Sequence, residues 1–307
     1  MHRSSKAGRV ARAILFTVAG AVILLAVAAV LMLRTDVGRG QLVRLVETLA
    51  SGPDMRLSIG RLDGALPFDM TVSDVSVADR EGVWLTLDRA HLAWRPLSLL
   101  SGVVEVNVLE AGRVAVARPP VPGTGPATEG SGPPRLPFGV IVERLAVEEV
   151  ALGEALVGEP VSLAVSGDAR LVDPADGLSG EIAIRRTDGV AATVDGTLRF
   201  VPDTGQLVVD VRAVEPAGGI VSRLAGLPDL PPLYFSLRGD GPLDNWRGDL
   251  ALTLGASARA QATATITRDA DGRQLALDGT ADIAALLPDR YAPLAAGEAT
   301  LHLRAKR

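Results

Sequence analysis

From Met55 onward the apolar residues recur at every second position, and that period limits what the chain can fold into more than any other feature. Val104, Val106 and Val108 alternate with Glu105 and Asn107, and Leu207, Val209 and Val211 with Asp210 and Arg212. Leu233, Phe235 and Leu237 alternate with Tyr234, Ser236 and Arg238. Leu250, Leu252 and Leu254 lead into Ala256, Ala258, Ala260, Ala262 and Ala264, with Arg259, Gln261, Thr263 and Thr265 between them. Successive side chains of a strand point to opposite faces, so each segment carries one apolar and one polar face. The segments amount to about twelve to fifteen strands, and their apolar faces need a cover. A sandwich or closed barrel supplies one from the sheet itself. A folded-over sheet leaves an open groove instead, which an acyl chain or an unfolded strand can fill. Hydrophobic residues make up 48% of the chain but aromatic ones only 3%. Small side chains fill a wide interior poorly, which favours the groove. Val104, Val106, Val108, Leu207, Val209, Val211, Leu250, Leu252 and Leu254 are its candidate lining.

A weak repeat accompanies the alternation. A glycine and a small or polar residue precede alternating apolar positions at Gly167, Gly180, Gly196, Gly205, Gly248 and Gly297. These glycines are expected to supply bends or positive φ between strands, and the irregular spacing indicates a meander and not a strict solenoid. Short helical turns are expected near Leu97 to Leu100, Ile220 to Ala225 and Ala284 to Leu287. Residues 119–137 are rich in Pro and Gly and read as a linker or exposed loop, dividing a β unit at 54–118 from a longer β region at 138–307.

The first fifty residues follow a different rule. Residues 13–33, from Ala13 through Leu24 to Leu33, contain no charge, and 21 helical residues span roughly the 30 Å of a bilayer core. Arg3, Lys6, Arg9 and Arg12, in a basic tail of residues 1–12, precede the run without an acidic residue, which places the N-terminus in the cytoplasm and the rest outside it. The run is longer than a secretory h-region and bulky at its end, so an uncleaved single-pass anchor is expected. Within 36–53, Leu42, Leu45, Val46 and Leu49 fall at helical spacing before Ser51-Gly52-Pro53. This short amphipathic helix is expected to cap the sheet, the alternative being to lie on the membrane interface.

Little in the chain points to catalysis. Cysteine is absent, which removes thiolate chemistry, disulfides and cysteine metal sites. His2, His91 and His302 are far apart, and no P-loop or dinucleotide fingerprint occurs. Glu148 and Glu149 are neighbours, so on a regular strand they point to opposite faces and form no dyad. Arg-Gly-Asp occurs at 238–240 and at 247–249, and each Gly-Asp is read as an ordinary turn between strands. A net charge of −5 provides no basic surface for nucleic acid. No enzyme activity, cofactor or metal is expected.

The stretch from Asp79 to Gly102 (DREGVWLTLDRAHLAWRPLSLLSG), with the preceding Gly60-to-Gly64 and Thr71-to-Asp79 segments and the following Val103-to-Pro120 segment, resembles the N-terminal region of the TamB family of AsmA-like envelope proteins. Gly239 to Leu252, with Trp246 inside it, resembles a turn-and-strand unit common in those proteins. The resemblance implies a mainly β chain: one N-terminal transmembrane helix followed by an elongated, folded-over, taco-like sheet with few short helices. It also implies an inner-membrane anchor, a periplasmic body, and a part in outer-membrane biogenesis by phospholipid transfer, outer-membrane protein assembly or both. The family's barrel partner, TamA, is met by a C-terminal domain for which this chain, ending at Arg307, has no counterpart. An N-terminal portion of a longer protein is therefore expected. The alternative is a non-transporting envelope scaffold with a closed β core.

Overall fold

The computed structural model describes residues 35–52, 54–121, 138–171, 177–256, 258–269, 272–282, 297 and 299–306. The basic tail, the apolar run at 13–33, most of the Pro/Gly segment and the turn expected at 284–287 lie outside the described residues. Among the described residues, no helix is long and apolar enough to cross a membrane.

The alternating segments pair with their sequence neighbours into one sheet of fourteen strands in chain order. They are β1 (Arg56–Asp63), β2 (Asp69–Asp79), β3 (Gly82–Arg95), β4 (Val103–Val116), β5 (Gly139–Leu152), β6 (Val161–Leu171) and β7 (Leu178–Arg186). The order continues with β8 (Thr193–Val201), β9 (Gln206–Glu215), β10 (Leu233–Pro242), β11 (Asn245–Leu254), β12 (Ala258–Asp269), β13 (Gly272–Asp282) and β14 (Ala299–Lys306). The fold is thus mainly β with few short helices. Every pair is antiparallel except β4 and β5, which run parallel, Val103 opposite Gly139 and Val116 opposite Leu152. A parallel pair requires the chain to return to the starting end before it re-enters. The Pro/Gly segment makes that connection, so the strands on its two sides belong to one sheet. The alternation through Leu254 to Ala264 is interrupted at Gly255, whose φ of +56° turns the chain from β11 into β12.

Helix α1 (Asp36–Ala50) precedes the sheet, its start capped by Thr35 Oγ1, which accepts from Gly38 N at 3.1 Å. It lies along the outer edge of β1. There Glu47 Oε1 accepts from Ile59 N at 2.7 Å, Ser51 Oγ accepts from Leu57 N at 3.0 Å, and Arg39 donates to Gly64 O at 3.0 Å. An unpaired edge strand is a template for adventitious pairing, and these side chains occupy its donors and acceptor. Capping is therefore achieved by the polar side of the helix. Of the apolar residues at helical spacing, Leu45 and Val46 remain exposed and Leu42 is half-buried.

The expected turns at 97–100 and 220–225 are a 3-10 turn (Pro96–Ser101) and helix α3 (Ile220–Leu224); a further short helix, α2 (Glu154–Val157), carried no period long enough to read. Glu215, at the end of β9, accepts from the N–H groups of Ile220 and Val221 and so holds the start of α3. Glu159 accepts from Arg186 at 2.9 Å and from Arg223 at 2.8 Å, tying the loop after α2 to α3. Asp188 beside it raises the Arg186 guanidinium above its ordinary value.

Candidate functional site

Residues paired across neighbouring strands share a face, so the register extends the alternation of single segments over the whole sheet. One registered line runs from Trp94 on β3 through Val106, Val142 and Ala169 to Gly180, Leu198 and Val209. It continues through Gly239, Gly248, Ala264 and Leu277 to Leu303 on β14. Every member is apolar or glycine. A parallel line runs from Val147 through Val165, Ile184, Val194, Ala213, Phe235 and Leu252 to Ala260, Ala281 and Ala299. Fourteen strands at about 4.8 Å spacing make this face roughly 60 Å long.

Little covers it. Among the described residues only nine apolar side chains are buried, and three of them, Leu233, Leu254 and Ala258, form one cluster with Leu227 packed against it. On the apolar face Ile182 is 44% exposed, Leu275 48% and Leu303 55%. The sheet is also not closed on itself: its strand order is linear, and β1 and β14 do not pair.

Of the predicted lining, Val104 and Val106 on β4, Leu207, Val209 and Val211 on β9, and Leu250, Leu252 and Leu254 on β11 all lie on this face. Val108 does not. Trp94 pairs with Val106, Ala93 with Val108 and Leu92 with Leu109, so Asn107 is an extra residue on β4. Beyond that bulge Leu109 continues the apolar face and Val108 joins Ala93 on the other side. No local signal announced the shift, because Val and Leu are adjacent there and either could have faced inward.

A second irregularity crosses five strands. Val147 and Val150 on β5 oppose Val165 and Leu163, only two residues apart on β6. The same three-residue step recurs as Ala111 and Val114, Ala90 and Leu87, Val72 and Val75, and Leu62 and Ile59. Glu148 and Glu149 therefore both leave the apolar side, contrary to the reading that sent them to opposite faces. Glu149 accepts from Arg113 at 3.2 Å and from Ser162 at 3.0 Å. Asp88 accepts from Arg113 N at 2.7 Å, and Gly112 leaves room for its carboxylate, which a Cβ there would approach to 2.7 Å.

The two Arg-Gly-Asp triplets are not turns. They lie inside β10 and β11 and pair with each other, Arg238 opposite Asp249 and Gly239 opposite Gly248. Trp246, 6% exposed, lays its ring over both glycines and donates from Nε1 to Leu207 O at 3.0 Å. A Cβ would fall 2.0 Å from the ring at Gly239 and 2.4 Å at Gly248. Gly167, Gly180 and Gly196 are likewise inside strands without positive φ; among the repeat glycines only Gly205 and Gly297 have it.

The polar face has a recess of about 860 Å³ between β9 and β13. Its charges are internally matched. Asp210 pairs with Arg212 and Arg238, Asp249 accepts from Thr263 at 3.1 Å, and Asp278 lies 2.7 Å from His302. His91 sits 3.2 Å from Asp69 across the β2–β3 pair. At the far end of the same hairpin Asp79 takes a bidentate bond from Arg118 and further bonds from the N–H groups of Glu81 and Val121. Arg118 and those donors hold its carboxyl well below the usual range. Arg273 and Arg268 likewise lower the carboxyl of Asp244. These polar groups satisfy one another within the sheet. Among the described residues no group of three or more His, Asp or Glu is arranged to hold a metal ion.

The geometry defines a class: an open, single-sheet β protein with one long apolar face. No family model, curated protein or solved structure matches this chain.

Proposed function

We propose that the chain is an inner-membrane-anchored periplasmic protein of the TamB type whose sheet folds over its apolar face to form a groove for the acyl chains of phospholipids. The observation that carries this reading is the register, which keeps one face apolar across the sheet, apart from Arg186 and Glu215 at one end of it, while most of its side chains are no more than half-buried. An uncovered apolar surface of this length is unfavourable in water and marks a binding surface. A row of small and branched aliphatic side chains, with few polar atoms to select a head group, suits a lipid tail. Residues 13–33 provide the anchor, and the tail of Arg3, Lys6, Arg9 and Arg12 sets the orientation. A TamA-like barrel partner completes the proposal.

The test is photocrosslinking from residues placed singly at Val106, Val209 and Leu252 in cells. Phospholipid adducts at all three positions are expected, and protein adducts alone would overturn lipid as the cargo in favour of outer-membrane strands. Leu109 and Val108 provide the internal control: the bulge predicts lipid capture from Leu109 and its loss at Val108.

A further inference from the structure

One end of the first five strands has a cluster of exposed apolar residues that the groove does not explain. Arg39, in the first turn of α1, bonds Gly64 O at the end of β1, so α1 begins at that end of the sheet. The same rim contains the β1–β2 turn, the 3-10 turn between β3 and β4, and the entry into β5, where Gly139 N donates to Gly102 O at 2.8 Å. In a turn facing water these positions are normally polar. Here they are Phe68, Leu97, Leu99, Leu100 and Phe138, all exposed, with Leu97 at 73% and Leu100 at 88%. The 3-10 turn buries none of its six residues, and Leu97 and Leu100 stand mostly clear of the sheet.

Farther along the same rim the composition reverses. The β8–β9 turn contains Asp203 and Thr204, and Asp244 in the β10–β11 turn bonds Arg268 and Arg273 beside the β12–β13 turn. Among the described residues of this rim, the exposed large apolar turn residues thus fall between β1 and β5, within about 19 Å of the strand that α1 lies against. The uncharged run of the sequence ends at Leu33, two residues before Thr35 caps α1.

We infer that this rim, formed by Phe68, the leucines of the 3-10 turn and Phe138, is seated in the boundary between head groups and acyl chains of the bilayer. Interfacial segments bury apolar side chains about 5 to 10 Å into that boundary, and aromatic residues collect there. A rim set this way fixes the start of the sheet against the membrane, where a free linker would let it swing. It also places the apolar face at the bilayer surface from β1 onward. The inference rests on the anchoring half of the proposed function and is independent of the cargo.

The chain has no cysteine, so single labels can be placed cleanly. The full chain, reconstituted into vesicles of phosphatidylethanolamine and phosphatidylglycerol, would be labelled with an environment-sensitive fluorophore at Leu24→Cys, Leu100→Cys or Asp203→Cys. Quenching is then read with nitroxide-bearing lipid and with aqueous iodide. The rim label at position 100 is expected to be quenched by the lipid and to lose most of its iodide quenching, as at position 24, while position 203 responds to iodide alone. Lipid quenching at 24 with full iodide access at 100 would overturn the seated rim and leave the anchor standing. Absence of lipid quenching at 24 would overturn the anchor and this inference together.

Discussion

Trp246 offers a direct measure of how a single-layer sheet stabilises itself. Its ring is buried although only one layer of strands lies beneath it, because Gly239 and Gly248 open a floor for it and Leu207 O accepts its N–H. Trp246→Ala removes that burial and leaves the Leu207 carbonyl short of a donor, and buried Trp→Ala changes cost about 3 to 5 kcal/mol. Gly239→Ala keeps the ring but drives a methyl to 2.0 Å from it, an overpacking that costs about 1 to 3 kcal/mol. The two costs are not independent. Once the ring is absent the three atoms nearest the methyl are gone, and alanine loses less backbone freedom than glycine on folding. Alanine at 239 therefore destabilises the parent and slightly stabilises the Trp246→Ala variant, a reversal of sign worth about 1 to 3 kcal/mol of coupling. Urea titrations of the full chain in mild detergent, followed by far-ultraviolet circular dichroism, provide the four midpoints, with slopes expected to stay constant. Strictly additive costs, or a Trp246→Ala cost below about 0.5 kcal/mol, would refute the account of the ring.

Two further outcomes follow from the polar contacts. Asp79 is held below its usual range by Arg118, so the stability it contributes is present above the unfolded carboxyl value, about 4, and is lost as pH falls. Melting temperature should consequently drop more steeply below about pH 4 in the parent than in Asp79→Asn, whose stability is lower at neutral pH; parallel curves would show that the pair is not coupled to folding. Glu215→Ala removes the acceptor for two N–H groups of α3 and should cost about 1 to 2 kcal/mol. Hydrogen exchange should show α3 losing protection while β11 keeps its own, and unchanged protection at Val221 would count against the cap.

The one-sided strands, the amphipathic segment ahead of them and the turns at 97–100 and 220–225 were legible because their causes are local. Side-chain alternation follows from the backbone of a single strand, and the helical spacing of Leu42, Leu45 and Val46 from a single turn. Eight of the nine candidate lining residues could be named from alternation alone. Three other features could not be read this way. Val108 was displaced by an extra residue that exists only relative to the partner strand. Glu148 and Glu149 stayed on one side because five strands step together at that point. The Arg-Gly-Asp triplets became a mid-strand pair because a tryptophan needed their glycines.

What the chain determined without its tertiary structure is that it forms strands with one apolar face, and that a membrane-length apolar run precedes them. Only the tertiary structure decided that the strands share a single sheet in chain order, that β4 and β5 run parallel across the Pro/Gly segment, and that α1 meets β1 with its polar side. The physical reason is one of range. A face is set by steric alternation within a few residues, whereas register, bulges and edge contacts are set by hydrogen bonds between segments tens of residues apart, and the same local pattern is compatible with several of them.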